Sequence, residues 1–448
     1  MNTLRVTAFT LTLAAALSAA FEPTLAFCGL YVARADGQLF NKASKVVLAR
    51  NGTSTAITMA SDYEGDPKDF ALVIPVPTLV KESDIHVVDE AMLDRLDNYS
   101  EPRLVEYTDP DPCAAPAIYM PIPAPMMSFK ARSAPAASAP DLGVKVEAQY
   151  SVEEYEIVIL SAEQSDGLQT WLTDNGYKIP AGASEVLASY IKQKMHFFVA
   201  KVDLDRMKLA DRHFIRPLQV RYDSPKFMLP IRLGTVNANG PQDLILMALT
   251  HNGRVETTNY QTERVPTGID VPLYIKDRFA EFYRALFDRQ VAKSGGTSAF
   301  LEYAWNTGGC DPCSAPPPSP ADLMTLGADL GSAPASYMRG RPYWGGGTFI
   351  TRLHVRYDRA HFPEDLALYE TGDRDNFQGR YVMHHPFAGN TNCPAGDEYR
   401  RHLAARNDAE LQHTAELTGW DRTTIQDAMV KSGEEVDRRS IWDRIFDK

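Results

Sequence analysis

Long apolar runs are missing after residue 20: nowhere in the rest of the 448-residue chain is there the stretch of roughly 20 apolar residues that a membrane-crossing helix needs. This excludes a later helical anchor, and the mature chain is expected to be soluble. Basic charge is short as well. Lys and Arg number 46 against 58 Asp and Glu, a formal charge of −12, which excludes the cationic footprint of a nucleic-acid-binding surface. Catalytic signatures are also absent. There is no Gly-x-Ser-x-Gly elbow for a serine hydrolase and no His-Glu-x-x-His for a zinc enzyme. Gly345-Gly346-Gly347 lacks the Lys-Ser/Thr of a phosphate loop and reads as a flexible connector.

What is present begins with an export pattern. One early cation, Arg5, precedes an uncharged apolar stretch over residues 6–20 that is too short to span a bilayer. Small residues at Ser18 and Ala20, or at Thr24 and Ala26, offer two cleavage sites, and Glu22-Pro23 ends the apolar region before the second. Residues 1–26 are therefore expected to be a signal peptide, and the protein to be periplasmic or secreted. Phe27 before Cys28 disfavours a lipid anchor, which wants a small residue there.

All five cysteines, Cys28, Cys113, Cys310, Cys313 and Cys393, follow that cut. In an oxidising compartment they are disulfide candidates, and the odd number leaves at least one unpaired. Cys310-Asp-Pro-Cys313 has redox or zinc spacing, but it lies between Gly308-Gly309 and a run of prolines with no strand-to-helix junction to activate a thiolate. A structural bridge is the expected role. Cys113 and Cys313 each close an Asp-Pro-Cys triplet, so Cys113 is expected to pair with Cys310 or Cys313.

The chain divides by composition. Residues 27–113 read as a β-rich unit with a hairpin at Asn51-Gly52 and one helix over 84–96. Residues 114–141 are an Ala/Pro-rich linker and 142–313 an α+β unit, with a helix bearing Leu168, Trp171 and Leu172 and a second bearing Val186, Leu187, Tyr190 and Ile191. A Pro/Ala/Gly linker follows at 314–340, then a β segment at 341–393. Residues 394–448 form a helical tail, interrupted at Gly419 and restarted by Asp421 as an N-cap. The fold class is α+β, with mixed or antiparallel sheets and flanking helices. Two related halves are hinted at, because Leu218-x-Val220-Arg221-Tyr222-Asp223-x-x-x-Phe227 recurs as Leu353-x-Val355-Arg356-Tyr357-Asp358-x-x-x-Phe362. Alternation on a strand turns Leu, Val and Tyr inward and Arg outward, so two equivalent edge or hairpin strands are expected, with a paired Arg/Asp recognition surface as the functional alternative.

Candidate chemistry is sparse. His384-His385, with Arg380 before them, marks a surface site, although neighbouring residues on a strand face opposite ways. Asp62, Glu64, Asp66 and Asp69, and likewise Asp373, Asp375 and Asn376, supply oxygen ligands of the kind calcium prefers, but neither set matches an EF-hand loop and both fall where turns need such residues. No metal or cofactor is expected.

Phe27-Cys28-Gly29-Leu30-Tyr31-Val32-Ala33, then Leu39-Phe40-Asn41, the Asn51-Gly52 hairpin and Val73-Ile74-Pro75-Val76-Pro77 together resemble a family of exported bacterial proteins designated domain of unknown function 2330. The likeness continues through 155–160, 171–180 and 351–358. It implies export and a shared fold and brings no activity or residue role. The leading expectation is a non-enzymatic envelope or extracellular binding protein whose partner is a protein or a ligand. The alternatives are an extracytoplasmic hydrolase or metal-dependent enzyme, and a thiol oxidoreductase using Cys310 and Cys313.

Overall fold

In the computed structural model, residues 24–25, 30–34, 40–64, 70–114, 145–162, 165–175, 177–179, 182–203, 216–236, 238, 240–308, 311, 315–330, 335–338, 341–344 and 347–436 are described. The Asn51-Gly52 signal marks a two-residue hairpin between β3 (Phe40–Asn51) and β4 (Ser54–Glu64). Asn51 pairs with Ser54, and Gly52 sits at φ +56, a left-handed conformation that glycine takes without steric cost.

That hairpin is the middle of a ten-stranded sheet. From one edge the order is β16 (Gln261–Arg264), β18 (Ser298–Asn306), β21 (Phe349–Tyr357), β14 (Gln242–Thr250), β3, β4, β12 (Leu218–Asp223) and β6 (Ile85–Val87). β1 (Thr24–Leu25) pairs beside β14 and β23 (Phe377–Gln378) beside β18. A second sheet runs β10 (Tyr177–Lys178), β2 (Leu30–Arg34), β5 (Phe70–Val76), β11 (His196–Val202), β9 (Tyr155–Ser161), β8 (Lys145–Val152). Smaller sheets join β17 (Ile269–Asp270), β24 (Arg380–His385) and β7 (Arg103–Thr108) in parallel, β13 (Met228–Leu229), β22 (Leu366–Glu370) and β15 (Val255–Thr257) antiparallel, and β19 (Ala335–Met338) with β20 (Arg341–Trp344).

The two large sheets share one core. Val46, Ile57, Val220, Leu246, Leu353 and Val355 from the first meet Leu72, Ile74, Ile157, Ile159 and Phe198 from the second. Strand alternation sends the remaining apolar residues outward, where helices cover them. Val73, Phe197 and Val199 pack under α2 (Ser165–Asp174) and α3 (Ala183–Lys192), which bury Leu168, Leu172, Val186, Leu187 and Tyr190. On the far side of the ten-stranded sheet, Val47, Met247, Leu249 and Ile350 meet α1 (Glu90–Ser100), through Leu93, Leu96 and Tyr99, and α5 (Pro320–Thr325), through Leu323. α4 (Phe279–Lys293), α6 (Pro394–Thr418) and α7 (Arg422–Lys431) complete the α+β architecture.

Several expectations are corrected. The 27–113, 142–313 and 341–393 stretches all contribute strands to the ten-stranded sheet; β14 pairs in parallel with β3 across some two hundred intervening residues and antiparallel with β21. The helix read over 84–96 starts later. Ile85–Val87 forms β6 against Leu218–Val220, because a β-branched segment beside an open strand is better used in the ladder, and Asp89 then caps α1 by accepting from the Ala91 amide. Within the 314–340 linker, Ser319 and Asp322 form a capping box that starts α5. The echoed strands β12 and β21 do share a sheet, but both are interior strands, β12 between β4 and β6 and β21 between β14 and β18. The tail follows its signals: α6 ends at Gly419 with φ +75, and Asp421 caps α7 through the Thr424 amide.

Cys113 bonds to Cys393, with Cα atoms 6.1 Å apart, and not to Cys310 or Cys313. The parallel β7–β24 pairing explains this, since it carries the two chains on together: Asp109, just after β7, donates its amide to the carbonyl of His385, the last residue of β24. Cys28, Cys310 and Cys313, the greater part of the 114–141 linker, and Asp66 and Asp69 lie outside the described residues.

Candidate functional site

The sequence-marked residues are placed first. On β24, His385 Nε2 lies 2.7 Å from Glu106 Oε2, while His384 stands between Asp109 (3.7 Å) and Asp270 (3.5 Å) and against the Tyr107 ring. The two imidazoles thus serve different partners, and the Arg380 amide donates to Thr267. Among the described residues no group of three or more His, Cys, Asp or Glu is arranged to hold a metal ion. Asp373 pairs with Arg254 and accepts from the Asp375 amide, a turn clamp. The Arg/Asp pairs of the echoed strands are also used internally: Asp358 caps the turn at Ala360 and His361, and Arg221 donates to Gln219 and to the Thr325 carbonyl.

The structure instead assembles a site that the sequence reading missed. Along β21, Leu353, Val355 and Tyr357 enter the inter-sheet core, so Arg352, His354 and Arg356 share the opposite face with Ile350. On the neighbouring β18 a register shift between Leu301 and Tyr303 places Glu302 at an irregularity of the ladder, where a bulge re-aims a side chain. Glu302 is fully desolvated and accepts from three donors: Arg352 Nε at 2.6 Å, the Tyr283 hydroxyl at 2.5 Å and His354 Nδ1 at 2.8 Å. Arg352 also binds Asp97 of α1, and Asp97 is held in turn by Lys45 at 2.6 Å. His354 Nε2 lies 3.6 Å from Asp243 Oδ1, an ion-pair distance but too long for a hydrogen bond. Asp243 chelates Arg356 (2.7 and 2.8 Å), which also reaches Asp288 on α4. One chain of alternating charge therefore runs from Lys45 to Asp288 beneath α4.

Its electrostatics follow from burial and pairing. Burial would raise both Glu302 and Asp243, but Arg352 and His354 around the first, and His354 and Arg356 around the second, outweigh it and hold each at about 2. Burial opposes the charged form of His354, yet Glu302 and Asp243 prevail and raise it above its ordinary value. Burial and then the Glu302 charge push Tyr283 far above the phenol range. Phe287 of α4 stacks on His354 with centroids 3.5 Å apart and carries the Arg356 guanidinium at 5.1 Å on its ring.

A cavity of about 370 Å³ opens over this floor. Its walls are Ile245, Phe279, Ala280, Phe287 and Pro102, and its mouth carries Glu101 and Arg284. A larger cavity, about 590 Å³, lies elsewhere near Phe227, Arg232 and Asp365, but there Asp365 Oδ1 is already taken by the Tyr190 hydroxyl and the amides of Ile231 and Arg232. Apolar walls with buried charge converging on one floor single out the smaller cavity. One sequence signal could have revealed it: Arg352-x-His354-x-Arg356 puts three cationic side chains on one strand face, and Glu302 interrupts the next apolar strand.

A family model described as an uncharacterized protein conserved in bacteria (DUF2330) matches residues 22–369. No curated protein and no solved structure matches the chain. The matched residues contain the whole charged chain from Lys45 to Arg356.

Proposed function

The chain belongs to this bacterial family, DUF2330, and on that premise we propose that it is an exported binding protein holding a small, largely apolar ligand with a polar head in the cavity beneath α4. The observation that carries this reading is the cavity itself: about 370 Å³, within the usual range of ligand pockets, with apolar walls over a rigid charged floor. The carboxylates and the phenol of this floor orient a ligand without exchanging protons with it. Glu302 and Asp243 ionise near pH 2 and Tyr283 far above 10, so at neutral pH all three keep a fixed protonation state, whereas general acid–base catalysis wants a pKa close to the operating pH. Glu101 and Arg284 at the mouth suit a polar head, and Phe279 and Phe287 suit an apolar body.

A thermal-shift screen of small molecules against the purified protein tests this. Stabilising compounds are expected to be amphipathic and to lose their effect on Ala280→Trp, which fills the cavity from an exposed helix position. Hits that stabilise Ala280→Trp equally would move the ligand elsewhere. Export is supported by the apolar stretch after Arg5 and is compatible with the Cys113–Cys393 bridge. N-terminal sequencing of extracytoplasmic protein should begin at Phe27. A start at Phe21 would instead retain Thr24–Leu25, which pairs with Gln242 and Asp243.

A second reading, an acid–base enzyme, is favoured by His354, the imidazole on the cavity floor, since histidine is the side chain best suited to proton transfer near neutral pH. Turnover of a cavity ligand that disappears in His354→Gln while binding persists would select it.

A further inference from the structure

The C-terminal helix pair lies beyond the family match, which ends at residue 369, and its contact with the rest of the molecule is acidic. α6 is fixed at its first turn by the Cys393–Cys113 bridge. Two turns on, the Tyr399 hydroxyl donates to Asp109 at 2.7 Å, and Arg406 binds both oxygens of Asp109 at 3.0 Å. Further along the same buried stripe comes Glu410, about 97% shielded from solvent, whose Oε1 has no hydrogen-bond partner among the described residues. Arg406 Nε is 3.5 Å from that oxygen without a hydrogen bond, while its Nη1 is engaged by both oxygens of Asp109.

The groups facing Glu410 are mostly of its own sign. Glu434, after α7, is buried and bonded to Ser432 and to the Leu273 amide. Asp270 comes from β17 and Asp109 from the end of β7, with His384 of β24 within 3.7 Å of both. The segment before α4 presents the Tyr274 hydroxyl, buried and without a hydrogen-bond partner among the described residues, and Lys276, which is spent on Glu106. Four carboxylates thus meet Arg406 and one imidazole. Ionised Glu410 would be a buried charge whose Oε1 has no hydrogen bond among the described residues; neutral Glu410 is a tolerable neighbour to Leu411, Ile425 and Met429, the apolar residues of the same helix pair.

We propose that α6 and α7 form a proton-dependent clasp, closed while Glu410 is protonated and loosened when it ionises, with the Cys113–Cys393 bridge keeping the released pair attached. Because α6 packs against α4, the clasp also steadies the helix that roofs the cavity. Burial first, then Glu434, raise Glu410 from 4.5 to about 8, with Arg406 pulling only partly the other way. A raised folded value means that closure is fully favoured below pH 4.5 and loses that stability as the pH climbs towards about 8. Across this window one titrating group changes the opening constant by up to about tenfold per pH unit.

Hydrogen exchange read by mass spectrometry on the full chain, corrected for intrinsic rates, between pH 5 and 9 tests the clasp. Protection over 394–431 is expected to fall with pH by up to that factor, while the core strand Gln242–Thr250 stays level. Glu410→Gln keeps the shape and removes the charge, so its α6–α7 protection should be flat and exceed the wild type at pH 8. A flat wild-type profile, or the same slope in Glu410→Gln, overturns the proposal. Should Glu410→Gln fail to fold, Glu434→Gln removes the largest charge acting on Glu410 and must end the loss of protection at a lower pH; an unchanged profile would equally overturn it.

Discussion

Glu302 has three donors on its two oxygens and no access to water, so its neighbours depend on it more than on any exposed carboxylate. Replacing it by Gln leaves Arg352 with Asp97 as its remaining anion and His354 without its nearer anion. Breaking a buried pair from one side costs about 3–5 kcal/mol, whereas an exposed pair is worth about 1 kcal/mol or less. Urea unfolding should therefore show Glu302→Gln destabilised by several times the effect of Asp288→Asn, which removes the half-exposed end of the chain; equal losses would mean that the network is not mechanically connected. The depressed values of Glu302 and Asp243 also fix an acid limit. Their stabilising charge is present above about pH 4.5 and is lost as the pH falls towards 2, so an acid unfolding transition in that window should shift upward in Glu302→Gln. Little of this was legible in the sequence, because Asp97, Asp243, Glu302 and Arg352 are drawn together from positions up to 255 residues apart. Alternation told which face of β21 Arg356 occupies, but not that α4 covers that face.

At the scale of elements, local signals were read well where the cause is local. Gly52 turns the β3–β4 hairpin, Asp421 starts α7, and Gly419 ends α6. Asp421→Ala should cost roughly 1 kcal/mol, the worth of a lost N-cap hydrogen bond, and its effect should appear as faster exchange confined to α7. The misread elements are those whose partner decides. Val87, Val88, Met92 and Leu96 have helical spacing, yet Ile85–Val87 completes a ladder with β12, and α5 sits in a Pro/Ala-rich stretch whose composition hides Ser319 and Asp322 as a capping box. The echo between β12 and β21 did identify two strands with the same inward stripe, yet their Arg faces diverge: Arg356 joins the buried chain, while Arg221 caps the end of α5 through the Thr325 carbonyl.

For the whole molecule, composition foretold sheets flanked by helices but not their interleaving, since parallel pairing of β3 with β14 leaves no turn signature. The disulfide partner was hidden for the same reason. Cys113 and Cys393 are 280 residues apart, and closing so long a loop stabilises by on the order of 5 kcal/mol in the chain-entropy account. Cys393→Ser should lower the unfolding midpoint measured without reductant, and reductant should lower that of the wild type at least as far; an unchanged midpoint in the variant would mean that the bridge does not stabilise the fold. The claim that the cavity beneath α4 is a ligand site is tested most directly by native mass spectrometry of protein recovered from the extracytoplasmic fraction. The account predicts a small-molecule adduct on the wild type that is released on denaturation and is missing from Ala280→Trp. A wild type that flies bare, or an adduct that survives in Ala280→Trp, would contradict it.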